Sequence, residues 1–324
     1  MSSPLLSIVV ANYNYGRFLE EAIQSVLSQV GERRDQVLPG EVELIIIDGG
    51  STDNSVEVIR KYAGELPSGV QRGDPSIVDL HLPPTPITYW VSEKDKGQSN
   101  AFNKGFSKAS GRFLTWLNAD DVMLPGTLKK FEMAVNKYPE CEWFVGGVMW
   151  LTKDMRVIRC GRGRHMSRVR AEHGQVNVCG PSSFFSRELY ERAGRIDERH
   201  HYTMDTDLWL RFALNEKLSF QPFTRYAWGL RLHEDAKMSG HNFNPDGTLA
   251  INAFTDEALH KNAKKRLQLE KEESWTKEKL PPLKGKLGSL KSLLCADCIP
   301  ALMSRFDTQR VADRHYLKAM EVVG

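Results

Sequence analysis

Leu5-Leu6-Ser7-Ile8-Val9-Val10 is an almost unbroken apolar, partly β-branched run, which reads as a strand buried on both faces, the condition of a parallel sheet. Phe18, Leu19, Ala22, Ile23, Val26 and Leu27 follow at helical spacing and form the stripe that packs on such a sheet. The same unit returns three times: Leu44–Ile47 with Val56, Val58, Ile59 and Tyr62; Ile87–Val91 with Ala101–Ala109; and Phe113–Leu117 with Leu128–Val135. Parallel strands need crossovers, and alternating strands and helices supply them. The fold class is therefore α/β, a Rossmann-type, mostly parallel sheet with helices on both faces. In such sheets ligands gather at the carboxyl ends of the strands, where helix N-termini and free amides collect.

With 41% hydrophobic residues over 324 positions, the chain can bury a large core. Lys and Arg number 44 against 41 Asp and Glu, a formal charge of +3, too balanced for a dedicated nucleic-acid binder. Five scattered cysteines do not form a disulfide framework, and the N-terminal residues lack the pattern of a signal peptide. A cytoplasmic setting is the expectation. Neither His200-His201 nor Cys295-x-x-Cys298 has a matching second half for a zinc site.

Gly64 to Pro86 is a stretch of 23 residues rich in Gly and Pro, in which Ile77–Leu82 reads as a small extra strand. From Lys153 to Arg170 there are seven basic residues and one acid, and from Lys261 to Lys291 ten basic residues and four acids. The expected division is a catalytic-type domain over 1–240, with halves 1–122 and 123–240, and a charged, mainly helical C-terminal extension over 241–324.

The strand-end loops hold the polar residues with chemistry. After the first strand, a base would lie against Tyr13 while Asn12 or Asn14 bonds its edge; taken alone, the segment reads as an Asn-rich capping turn. After the second, Asp48 would accept bonds from a base or ribose, the paired Gly49-Gly50 admit close approach, and Asp53 suits a cap. After the third, Asp95 and Lys96 would hold a ribose and a phosphate, a solvated turn being the equal alternative. The Gly-x-Gly-x-x-Gly of a dinucleotide-binding dehydrogenase is absent.

Trp116-Leu117-Asn118-Ala119-Asp120-Asp121 is the sharpest signal. Two adjacent carboxylates at the tip of an apolar strand repel each other, and a divalent cation bridging them to phosphate relieves that repulsion. Further on, Asp207 and Arg211 stand four apart as a structural pair, while Asp205 has no such partner nearby and suits a base at a pocket edge or a cap. Arg231 and His233 fall on one side of an extended segment, suited to phosphate oxygens or a metal's last ligand.

In order, Ser7-Ile8-Val9-Val10-Ala11-Asn12-Tyr13-Asn14, Asp48-Gly49-Gly50-Ser51-Thr52-Asp53, Asn118-Ala119-Asp120-Asp121 and Asp205-Thr206-Asp207-Leu208-Trp209-Leu210-Arg211 resemble a bacterial family 2 glycosyltransferase of the GT-A fold. The resemblance covers roughly residues 5 to 235. Ser92–Phe106 and Gly180–Phe185 are similar to the branch that builds surface polysaccharides and glycolipids. It implies an inverting transfer from a nucleotide-sugar donor to a hydroxyl of a glycan or polyprenyl-linked acceptor, with Mg²⁺ or Mn²⁺. By the same resemblance Asp48 contacts the nucleoside, Asp120 the ribose or metal, Asp121 the metal, and Asp205 the acceptor hydroxyl, with His233 a metal or diphosphate ligand. Gly49 departs from a second Asp that many members carry, and Asn118 from an acid. The basic Arg156–Arg170 segment adds the expectation of peripheral contact with the inner face of a membrane. The alternative is a non-catalytic nucleotide-sugar-binding partner in a biosynthetic complex.

Overall fold

β1 (Leu6–Asn12), β2 (Val42–Asp48), β3 (Tyr89–Ser92) and β4 (Phe113–Asn118) are the four strands expected from the apolar runs. The structure is a computed structural model and describes residues 3–64, 87–161, 171, 178, 180–200 and 203–236. The expected strand at Ile77–Leu82, the later part of the basic run, His201, Cys179, Cys295, Cys298 and the extension over 241–324 lie outside the described residues. Between the strands come α1 (Gly16–Leu27), α2 (Ser55–Ala63) and α3 (Gln98–Lys108). β5 (Val122–Met123), α4 (Thr127–Lys137), β6 (Trp143–Val145), β7 (Val148–Leu151) and β8 (Val157–Gly161) follow. After a single 3₁₀ turn at Gly180–Ser182 come β9 (Ser183–Ser186), α5 (Arg187–Arg192), α6 (Met204–Leu214), β10 (Gln221–Pro222) and β11 (Trp228–Arg231).

The main sheet has the order β10-β6-β9-β4-β1-β2-β3. All its strands run parallel except β9, which enters antiparallel between β4 and β6. Because side chains alternate along a strand, each apolar strand feeds two cores. Ile8 and Val10 of β1, Leu44 and Ile46 of β2, and Phe113 and Leu117 of β4 join α1, α2 and α4 on one face. Val9, Ile45, Ile47, Leu114 and Trp116 join α3, α5 and α6 on the other. Both halves of the expected doubly covered sheet are present. On the second face α3 approaches β1 closely through Gly105, where a Cβ would lie 2.3 Å from Val9 Cγ1.

A second, four-stranded sheet, β5-β11-β7-β8, stands beside the tip of β4. It pairs Met123 with Trp228 and Val122 with Gly229, and so carries Arg231 and His233 to the acidic residues at the end of β4. Phe18 departs from the expected sheet-facing stripe. Its ring lies 4.7 Å from the His233 ring and 4.7 Å from the Arg231 guanidinium, a cation–π contact that ties α1 to β11.

Candidate functional site

The strand tips come into register side by side: Ser92 pairs with Asp48, Asp48 with Asn12, and Ala11 with Asn118. Parallel strands stand ~4.8 Å apart, so the row from β3 to β4 spans ~14 Å, enough for an extended nucleoside diphosphate. Over this row opens a cavity of about 790 Å³, within the range of small-molecule sites. Asn12, Tyr13, Asp95, Asp120, Asp121 and Asp205 all line it. Asn14, Asp48, Lys96 and His233 are not on its wall.

Asp48 is fully buried. Its Oδ1 accepts from Asn12 Nδ2 at 2.6 Å and Ser51 Oγ at 2.5 Å. Its Oδ2 accepts from the Ser51 amide at 3.0 Å and Ser92 Oγ at 2.6 Å. Four donors from three strand ends saturate the carboxylate, so it fastens the tips of β1, β2 and β3 beneath the cavity floor. Asn14, in the left-handed region at φ 57°, has a related place: its Oδ1 accepts from the Thr52 amide at 2.8 Å and its amide donates to Ser51 Oγ at 2.8 Å. Asp53 bridges two helix starts, accepting from the Ser55 amide at 3.0 Å and the Gly16 amide at 2.8 Å, in keeping with the capping expectation.

The adjacent carboxylates at the tip of β4 divide. Asp121 turns inward and is buried; its Oδ1 accepts from the Arg231 amide at 2.9 Å and its Oδ2 from Asn118 Nδ2 at 2.7 Å. Burial, then the charge of Asp120, holds the Asp121 carboxyl well above the usual carboxylate range. Asp120 is the more exposed of the two, and its Oδ2 stands 3.1 Å from His233 Nε2. The phenol of Tyr15 is also pushed up, by burial first and then by Asp120.

Among the described residues no group of three or more His, Cys, Asp and Glu side chains converges into a metal cage. Of the expected trio, Asp120 and Asp121 line the cavity, both oxygens of Asp121 accepting hydrogen bonds from the protein, while His233 stands behind Asp120. Asp120 and His233 still form an oxygen and nitrogen pair of the kind Mn²⁺ accepts. Mg²⁺ and Mn²⁺ at phosphate sites take one or two protein carboxylates and complete their shell with phosphate oxygens and water. With the Asp120 carboxylate on the cavity wall and His233 Nε2 3.1 Å from it, the donor set fits.

Asp205 stands in the first turn of α6. Its Oδ1 accepts from the Thr206 amide at 2.7 Å. A Cβ on Gly180 would lie 3.4 Å from Asp205 Oδ2 and 3.2 Å from Trp116 Cζ2, so the glycine keeps the approach to this carboxylate open. Trp116 stacks on Trp209 at 5.4 Å and 2°, giving the acid a rigid apolar wall. Asp207, by contrast, pairs with Arg211, whose Nη2 donates to it at 2.6 Å. Sequence reasoning did not place Trp116, Tyr15 or Gln98 at the site. All three line the cavity, and Gln98 Nε2 donates to Asn118 Oδ1 at 2.8 Å. Strand alternation puts Trp116 on the same face as Asn118, but no local signal brings α6 over it.

A doubly covered, mostly parallel sheet with an acidic cavity across its strand tips is the architecture of a GT-A-like glycosyltransferase domain. The chain belongs to glycosyl transferase family 2, whose family model matches residues 7–194, more than half of its length. It is 33% identical to an uncharacterized glycosyltransferase of Nostoc sp. over 125 residues, covering 39% of this chain but 31% of that protein. It is 24% identical to a PGL/p-HBAD biosynthesis glycosyltransferase of Mycobacterium bovis over 227 residues, covering 70% of this chain and 75% of that one. Among solved structures, S. aureus TarS 1-349 in complex with UDP-GlcNAc matches with a TM-score of 0.50 at 14% identity, over 71% of this chain and 59% of that one, a likeness of fold. No helix among the described residues is long and apolar enough to cross a membrane.

Proposed function

We propose that this chain transfers a sugar, with inversion, from a nucleotide-sugar donor to a hydroxyl of a glycan or polyprenyl-linked acceptor. The observation that carries the reading is the sharing of one cavity by Asp120, at the tip of β4, and Asp205, at the head of α6. In this reading the nucleoside lies toward β1, β2 and β3, with Asn12, Tyr13 and Asp95 at its cavity wall, Lys96 at the margin, and Asp48 and Asn14 holding the loops in shape. The diphosphate lies at Asp120, with His233 behind it and Asp121 beneath.

Mg²⁺ or Mn²⁺, held by Asp120 with His233 supporting that carboxylate, would act as a Lewis acid toward the departing diphosphate. Asp205 acts as general base. It takes the proton of the acceptor hydroxyl while that oxygen bonds the anomeric carbon from the face opposite the diphosphate, and the bond from that carbon to the diphosphate oxygen breaks. One displacement inverts the anomeric centre. Trp116, backed by Trp209, is the apolar wall that holds the acceptor in line.

Residues 1–240 are assigned to this unit, with the donor half at 1–122 and the acceptor half at 123–240, and residues 241–324 are assigned to the C-terminal extension. The basic segment from Lys153 suits anionic headgroups. It supports an acceptor presented at the cytoplasmic face of a membrane, reached by peripheral contact. The test is donor consumption over a panel of nucleotide sugars with Mn²⁺, with and without polyprenyl-phosphate or oligosaccharide acceptors. Acceptor-dependent release of nucleoside diphosphate is the expected result; tight donor binding with no release under any acceptor would leave a non-catalytic binding protein. Co-sedimentation with anionic vesicles at low salt tests the membrane contact.

A further inference from the structure

His233 stands two residues past the end of β11, so strand pairing alone does not set where its imidazole lies. The Ala236 amide closes back on the His233 carbonyl at 3.1 Å, and residues 233–236 form a turn. That turn is fastened to the head of α1. Tyr15, the N-cap of α1, donates from its phenol to the Asp235 carbonyl at 2.8 Å, and Arg17 Nη2 meets Asp235 Oδ2 at 2.5 Å. The Tyr15 ring also meets the His233 ring edge-on, at 5.5 Å and 83°. The head of α1 is itself fixed: the Gly16 amide donates to Asp53 Oδ2 at 2.8 Å, and a Cβ on Gly16 would lie 2.1 Å from Asn54 Oδ1. A turn at the end of the small sheet is thus held against a helix start that belongs to the main one.

We infer that Tyr15 is a positioning residue for the cation site: it sets the place of His233, and through His233 the direction of the Asp120 carboxylate, without itself holding the ion. The inference rests on the metal-dependent reading above and deepens it. The phenol and the ring act on different parts of the turn. The phenol holds the backbone at Asp235, while the ring bounds the imidazole on one side and Phe18, at 4.7 Å, bounds it on another. Arg17 and Asp235 are both exposed, and ion pairs of that kind are screened and contribute little, so Tyr15 carries most of the fastening. Supports one step removed from a metal ligand govern affinity for the ion. Tyr15 also lines the cavity, and direct contact with the ligand is the competing role that a test must separate.

The test is calorimetric titration of the full chain with UDP, dTDP, GDP, CDP and ADP, each in Mn²⁺ and in EDTA. Its readout is the ratio of the two affinities for the nucleotide that binds tightest. Tyr15→Phe keeps the ring and loses the bond to Asp235; it is expected to lower that ratio about fivefold, the effect of one hydrogen bond. Tyr15→Leu loses both contacts and is expected to lower it about tenfold or more, so that the phenyl ring restores part of the loss. In a His233→Ala chain neither substitution is expected to lower the ratio further. Circular dichroism verifies the fold of each variant, and Tyr15→Phe decides alone if Tyr15→Leu does not fold. A ratio unchanged in folded Tyr15→Phe and Tyr15→Leu would overturn the assignment. So would a loss as large in the His233→Ala chain as in the parent, which would place Tyr15 on the ligand itself; the glycosyltransferase reading survives both. Binding of none of the five, or equal affinity with and without Mn²⁺ in the parent, would remove the metal-dependent donor reading, and this inference with it.

Discussion

His233 Nε2 stands 3.1 Å from Asp120 Oδ2 across 113 residues of chain, so the last strand of the small sheet supports the exposed carboxylate at the tip of β4. His233 is itself buried, wedged against Tyr15 at 5.5 Å and Phe18. A histidine held this firmly orients its partner. His233→Ala is expected to weaken Mn²⁺-dependent binding of nucleoside diphosphate by ~10–100-fold, the usual effect of losing such support at a metal site. Binding in EDTA should change little. Calorimetry with and without the cation checks both.

Asp205→Asn removes the proton acceptor but keeps the shape of the α6 N-terminus. Donor affinity is expected to persist while transfer falls by the ~10²–10⁴ of a general base. Equilibrium donor titration and single-turnover transfer, measured on the same preparation, separate the two effects.

Asp48→Asn places an amide among four donors. A buried carboxylate that satisfied them leaves at least one unpaired, at a cost of about 3 kcal/mol. The expected outcome is a lower urea midpoint, with the nucleotide affinity of the folded fraction preserved. A variant as stable as the parent but unable to bind nucleotide would instead place Asp48 on the ligand.

Gly105→Ala tests the packing of α3 on β1. The new Cβ meets both γ carbons of Val9, at 2.3 and 2.9 Å, and a β-branched side chain has little rotamer freedom to yield. Overpacking costs ~1–3 kcal/mol, against which helix propensity returns ~1 kcal/mol. A net loss of stability is expected, and Val9→Ala in the same chain should recover part of it, so the double variant is more stable than additivity allows.

Glu43 gives a pH signature. Burial pushes its carboxyl up, yet the hydroxyls of Ser110 and Ser7 and the amides of Ser110 and Gly111 outweigh burial and hold it below its ordinary 4.5. A depressed folded value means the stabilisation is present above the unfolded value and is lost as pH falls through the folded one. Glu43→Gln is therefore expected to be less stable than the parent by on the order of 1 kcal/mol at neutral pH, solvent screening included. The gap should close in acid, as pH falls through the depressed folded value. Thermal melts of both proteins from pH 3 to 7 check the direction.

The four strand and helix units of the first half follow from local pattern alone, because strands buried on both faces are continuously apolar and the helices that cover them are apolar on one stripe. Val9 and Val10 show why: adjacent residues enter opposite cores, so both must be hydrophobic. That pattern also fixes the address of the site, since crossovers leave the polar loops at one end of the sheet. Which acid faces the ligand is a different matter. Asp120 and Asp121 are identical and adjacent, and only the docking of β11, with the Arg231 amide arriving from 110 residues away, turns one inward. Asp48 is likewise turned under the floor by donors from β1 and β3, and Asp95 comes to lie beside Gly49 only because β3 packs against β2. Spacing along a chain encodes which face of its own element a side chain takes. It does not encode the competition among buried donors from distant strands, and in this protein that competition decides which carboxylates the fold itself saturates.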